Sequence, residues 1–142
     1  MIVYVDTSAL VPLIISEPTS TAAQRLWDAA GRVVATPLVY VEAHAAFAQA
    51  QRLGRITLAQ LRRGLTDLAV LDQQLDRIEV THALVTFAGT IAEHHALRAY
   101  DAVHLAGALT LSDPSVVFAT GDQRLAAAAS TAGLATADLN TT

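Results

Sequence analysis

Short apolar runs alternate along this chain with longer stretches in which apolar residues recur every three or four positions. Ile2–Val5 is a β-branched and aromatic run of the kind that forms a buried strand. Val33–Thr36, Ile78–Val80 and Val116–Ala119 repeat the type, and Leu134–Thr136 is a candidate fifth strand. Between them the spacing predicts helices over 18–30 (Ser16 as a candidate cap), 37–53, 57–75, 82–95, 100–111 and 122–132. Pro37 suits the first turn of its helix, where a missing N–H costs nothing. In the 57–75 stretch, Leu58, Leu61, Leu65, Leu68 and Leu71 fall on one helical stripe. That stripe reads as core or, in part, as a groove for a partner helix.

Strands alternating with helices predict an α/β fold with a parallel sheet covered on both faces. With 142 residues and neither repeat nor linker, the expectation is one domain over 1–142. In open parallel sheets, chemistry collects beyond the carboxyl ends of the strands.

Two strand ends carry a carboxylate. Asp6 follows Ile2–Val5 directly, and Asp122 follows Val116–Ala119 after Thr120-Gly121. Each also reads as a helix N-cap. Glu42 is the only acid in the 37–53 helix, flanked at three and four residues by Leu38, Val39, Ala45 and Ala46. A carboxylate on such a stripe is costly without a partner, although a solvated face would also hold it. Asp101 opens a helix with Leu105 and Ala108 on its stripe, and doubles as a first-turn acid answering the helix dipole. Together the four form a hard-oxygen donor set suited to Mg²⁺ or Mn²⁺ and hence to phosphate-ester chemistry. Thr7, Ser8 and Thr120 are hydroxyls placed to support them, or to cap helices.

Composition then prunes the rivals. There is no cysteine, which removes disulfides, thiolate nucleophiles and zinc–thiolate sites. All nine basic residues are arginine, so mechanisms that need a lysine are closed, including those of haloacid-dehalogenase phosphatases and receiver domains. Neither the P-loop nor the Rossmann glycine pattern is present. The net charge of −4 argues against nonspecific coating of nucleic acid but suits a carboxylate site that holds cations. The first residues lack a signal-peptide pattern, and the apolar run 9–15 is too short to span a bilayer, so a cytoplasmic protein with no membrane association is expected.

Asp6-Thr7-Ser8-Ala9-Leu10 resembles the opening of PIN domains. Glu42 in the helix after the second strand, the segment Arg98 to Ala106 around Asp101, and Val117-Phe-Ala-Thr120-Gly-Asp122 match the later motifs in order and spacing. The likeness spans nearly the whole chain and is strongest to the VapC toxins of bacterial toxin–antitoxin pairs. It implies a three-layer α/β/α sandwich and metal-dependent endonucleolytic cleavage of RNA. It also implies a homodimer and inhibition by a VapB-like antitoxin. By the same likeness Asp6, Glu42, Asp101 and Asp122 are the catalytic, metal-binding acids. A nuclease of RNA maturation and a catalytically silent interaction module are the alternatives. Many relatives carry a further acid where this chain has Arg124, which leaves a fifth ligand in doubt.

Three further features stay open at this level. His104, one turn after Asp101, either approaches the site or belongs to the core or a dimer interface. His94-His95 at a helix end answer its dipole. Arg52, Arg55, Arg62 and Arg63 are either phosphate contacts or a solvated, ion-paired surface.

Overall fold

The computed structural model describes residues 1–141. Its five strands are β1 (Ile2–Val5), β2 (Arg32–Ala35), β3 (Asp76–Arg77), β4 (Val116–Thr120) and β5 (Ala135–Asp138). They form one parallel sheet in the order β3-β2-β1-β4-β5. The helices are α1 (Thr7–Leu10), α2 (Ser20–Ala29), α3 (Leu38–Arg52), α4 (Leu58–Gln73), α5 (His82–His95), α6 (Ala99–Thr110) and α7 (Gln123–Thr131), with a 3-10 turn over Val11–Leu13.

Successive side chains of a strand point to opposite faces, and both faces here are buried. Val3, Val5, Val33 and Ala35 pack on one face with Leu10, Ala23, Val39, Ala43, Phe47 and Leu68, drawn from α1 to α4. Tyr4, Val34, Val116 and Phe118 pack on the other with Leu84, Ile91, Leu105, Leu125 and Ala129, drawn from α5 to α7. The result is the three-layer α/β/α arrangement that the alternating pattern predicts.

The chain lays β1, β2 and β3 outward to one side, then crosses to add β4 and β5 on the other. The reversal falls between β1 and β4, which run in register from Ile2↔Val116 to Val5↔Ala119. Their carboxyl ends therefore open side by side at the switch point, where α/β sheets bind ligands.

Three expectations are corrected. The third strand lies at Asp76–Arg77 rather than 78–80; only Ile78 N–H, donating to Ala35 O at 2.9 Å, extends the pairing. Ile78 and Val80 instead pack on the core, so their apolar character marks burial and not pairing. The second helix starts at Ser20, and Ser16 does not cap it. Ser20 Oγ instead accepts from Glu17 N–H at 2.9 Å, closing the turn around Pro18. Finally, the helix that Asp6 caps is only the single turn α1, too short for periodicity to register, so the spacing predicts no helix there. Among the described residues no helix is long and apolar enough to cross a membrane.

Candidate functional site

Asp6 leaves β1 with its side chain buried at 4% exposure. Its Oδ1 accepts from Ala9 N–H at 3.1 Å, which caps α1, and from Ser8 O–H at 2.7 Å. Its Oδ2 accepts from Thr120 O–H at 2.8 Å, at the end of neighbouring β4. Burial raises the carboxyl to a pKa of about 6, a shift restrained by the Ser8 hydroxyl, His104, the Thr120 hydroxyl and the Ala9 amide. The Ser8, Thr120 and Ala9 donors and His104 thus oppose the burial that favours the protonated form.

Thr120 ties the two strand ends together. While donating to Asp6, its Oγ1 accepts from Asp122 N–H at 3.0 Å and lies 3.1 Å from Ser8 Oγ. Ser8 Oγ in turn accepts from Gly121 N–H at 2.7 Å. Asp122 Oδ1 accepts from Arg124 N–H at 2.9 Å and Leu125 N–H at 3.2 Å, capping α7. Ser8 and Thr120 therefore touch Asp6 directly. Thr7 does not: its Oγ1 is buried without a hydrogen-bond partner.

Asp101 reaches the same edge from the first turn of α6. It and Asp122 converge on one cation, Arg98, whose Nε lies 3.2 Å from Asp101 Oδ2 and whose terminal nitrogen lies 3.8 Å from Asp122 Oδ2. A cavity of about 240 Å³ opens here, lined by Ala96, Leu97, Arg98, Asp101, Asp122 and Arg124. Arg124 donates to Ala96 O at 3.3 Å.

Glu42 stands apart from this group on α3. Its Oε1 lies 2.6 Å from Nε2 of His104, which is buried at 1% exposure. Nδ1 of the same ring lies 3.3 Å from the hydroxyl of Tyr4, itself stacked on Phe118 at 5.4 Å between ring centres.

Among the described residues no three His, Asp or Glu side chains lie close enough to share one metal ion. The chemistry of the donors nonetheless fits a hard divalent cation, being carboxylate and hydroxyl oxygen throughout. Arg98 serves as a stand-in, since Asp101 and Asp122 already meet on a positive group.

Sequence reasoning missed the part played by Arg98 and left His104 undecided. The signal for each was its place three residues from Asp101, on either side, on one helical face. Arg52, Arg55, Arg62 and Arg63 are exposed, as a solvated surface requires, and among the described residues form no salt bridge.

Parallel strands with acids at adjacent carboxyl ends, backed by helices on both faces, define a nuclease-like α/β site. The chain belongs to the PIN-domain family, whose profile matches residues 3–130. Within that family it is 39% identical to Ribonuclease VapC45 of Mycobacterium tuberculosis over 132 residues, 93% of this chain and 92% of the relative. The fold is similar to that of VapC20 of the same species, a toxin that cleaves the sarcin–ricin loop. There the TM-score is 0.69 at 19% identity, covering 93% of this chain and 95% of the other. It is also similar to a chain of VapBC2 from Rickettsia felis bound to a promoter DNA fragment. That match has a TM-score of 0.65 at 13% identity and covers 97% and 98% of the two chains.

Proposed function

We propose that this protein is a VapC-type endoribonuclease that hydrolyses RNA phosphodiester bonds with Mg²⁺ or Mn²⁺. Asp6, Asp101 and Asp122, with Glu42 from α3, are the residues that would hold the ion. The observation that carries the reading is the joining of Asp6 to the Asp122 backbone through Thr120 at the switch point, with Asp101 beside them on Arg98. The 39% identity to a ribonuclease of the VapC group supports it independently.

A bound divalent cation supplies Lewis acidity that activates water and screens phosphate charge. The protein's own residues do the rest. Ser8 and Thr120 fix the Asp6 carboxylate in one orientation, so that little reorganisation is needed on binding. Arg98 and Arg124 flank the opening and present guanidinium groups to an incoming phosphate; no lysine is present to share that task. Arg98 pairs with Asp101 and Asp122 at the mouth of the cavity, which places its guanidinium beside the position a phosphate would take.

The reading extends to partners. The VapC likeness supports a homodimer held inactive in the cytoplasm by a VapB-like antitoxin, and VapBC2 shares the fold. The test is cleavage of RNA by purified protein with Mg²⁺ or Mn²⁺ and with chelator. Cleavage that requires the ion and disappears in folded Asp6→Asn and Asp101→Asn variants is expected. Equal cleavage by those variants, or none by the wild type under any metal, would overturn the assignment.

A further inference from the structure

Glu42 differs from the other three acids in how it is held. Asp6 and Asp122 sit on backbone amides at helix starts, and Asp101 lies in a first helical turn. Glu42 has a longer side chain, in the second turn of α3, whose rotamers must be restricted by something else. The group within reach is His104, brought from α6, 62 residues away.

The hydrogen placement follows from the three groups. A carboxylate only accepts, so Nε2 of His104 carries the hydrogen that points at Glu42 Oε1. In the neutral ring Nδ1 is then an acceptor, and the Tyr4 hydroxyl 3.3 Å away is its donor. The chain Tyr4 to His104 to Glu42 runs from the sheet core out to a carboxylate whose side chain is 25% exposed. It engages one Glu42 oxygen and leaves the other unassigned.

The fold makes room for this chain. A Cβ at Gly107, one turn beyond His104 on α6, would stand 2.9 Å from the Tyr4 hydroxyl and 3.1 Å from Thr36 Cγ2. Tyr4 is further located by its near-parallel stack on Phe118, at 9° between the ring planes. α6 thus presents Asp101 at the site and, three residues on, the histidine that orients a ligand from another helix.

We infer that His104, oriented by Tyr4, is a positioning residue that holds Glu42 in the geometry for binding a divalent cation. This rests on the metal-site reading above. Histidines and carboxylates that orient metal ligands from behind are typically worth ten- to a hundredfold in affinity.

The test is Mn²⁺ binding by calorimetry to the purified full chain, with folding followed by circular dichroism. His104→Leu should weaken Mn²⁺ binding about tenfold, and His104→Gln, which keeps a donor near the Nε2 position, should restore most of it. Tyr4→Phe, which keeps the stack on Phe118 and removes only the hydroxyl, should weaken binding a few-fold. In a Glu42→Gln background the His104→Leu change should have no further effect, because the histidine acts through that carboxylate.

Wild-type affinity in folded His104→Leu would overturn the proposal, as would an undiminished effect in the Glu42→Gln background. If His104→Leu does not fold, Tyr4→Phe decides: a loss confined to a background with Glu42 intact supports positioning, and unchanged affinity overturns it. Failure of the underlying reading looks different, because Glu42→Gln and Asp101→Asn would then bind Mn²⁺ as the wild type does.

Discussion

The two sides of the sheet use the same residue types and reach opposite results. At the β1–β4 edge, Asp6 is buried, both its oxygens are engaged, and the hydroxyl that holds it also binds the Asp122 amide. At the β2–β3 edge, Asp76 pairs with Arg32 at 2.7 Å and Asp72 pairs with Arg77, and Arg32, Asp76 and Arg77 remain largely open to solvent. Both edges offer carboxylates beside arginines. They differ in that one lies at the switch point, where the order of strand addition reverses between parallel β1 and β4, and the other at the sheet margin. Burial and hydroxyl partners shared between two strand ends single out Asp6, and two acids meeting on one arginine single out Asp101 and Asp122; an acid paired with an arginine of its own is only an ion pair.

The sharpest break of that comparison separates capping from chemistry. Asn caps a helix about as well as Asp, so Asp122→Asn keeps the bonds from Arg124 and Leu125 while removing the charge. Loss of a metal-binding carboxylate costs several kcal/mol in the transition state, so cleavage should fall by about a hundredfold or more at unchanged melting temperature. Asp76→Asn, at the other edge, should leave cleavage within about twofold of wild type. Equal rates for the two variants would mean that Asp122 only caps.

A second contrast lies in packing. Gly107→Ala drives a methyl group into the hydroxyl of Tyr4 on β1 and into buried Thr36 just past β2, and should cost about 1–3 kcal/mol in denaturant unfolding. Gly89→Ala on α5, where a Cβ would meet nothing within 4 Å, should be neutral or slightly stabilising because alanine favours helix. Equal midpoints for the two would show that Tyr4 is free to move, which would also loosen its hold on His104.

The third contrast is in pH. Asp6 has a folded pKa of about 6, above its ordinary value of 3.8, so the folded state binds the proton more tightly than the unfolded chain does. That contribution to stability is full below the unfolded pKa and is lost as pH rises through 6. Metal-free protein should therefore lose on the order of 1 kcal/mol between pH 5 and pH 7.5, a slope that Asp6→Asn flattens. Mn²⁺ should reverse the loss by favouring the charged form. An Asp6→Asn slope equal to the wild-type slope would assign the titration elsewhere.

What the sequence made legible follows from how local each cause is. β1 and β4 stand out because four-residue apolar runs buried on both faces leave a mark at every position. Of the two readings of Asp6 and Asp122 the structure shows the cap for both, and the same strand-to-helix turns place both carboxylates at the carboxyl edge of the sheet, where the candidate site lies. Glu42 was legible as a carboxylate in want of a partner, but the partner is 62 residues away and known only from the packing of α6. Arg98 went unremarked because its pairing depends on Asp101 and Asp122 arriving from different elements. β3 was displaced because two paired residues leave no periodicity, while the apolar Ile78 and Val80 beside them do.

The smallest effect tests the margin of the sheet on its own terms. Arg32 and Asp76 join β2 to β3 across 44 residues, with side chains 56% and 53% exposed. Ion pairs that open to water contribute about 0.2–1 kcal/mol and are screened by salt. Asp76→Asn should therefore lower unfolding stability by no more than about 1 kcal/mol in dilute buffer, and by less in 0.5 M NaCl. A larger, salt-independent loss would mean that this pair anchors β3, because the short strand has few other ties: its register runs only from Val34↔Asp76 to Ala35↔Arg77. The two edges would then differ in chemistry and not in structural consequence, and exposure would no longer explain why one set of acids is spare and the other is held.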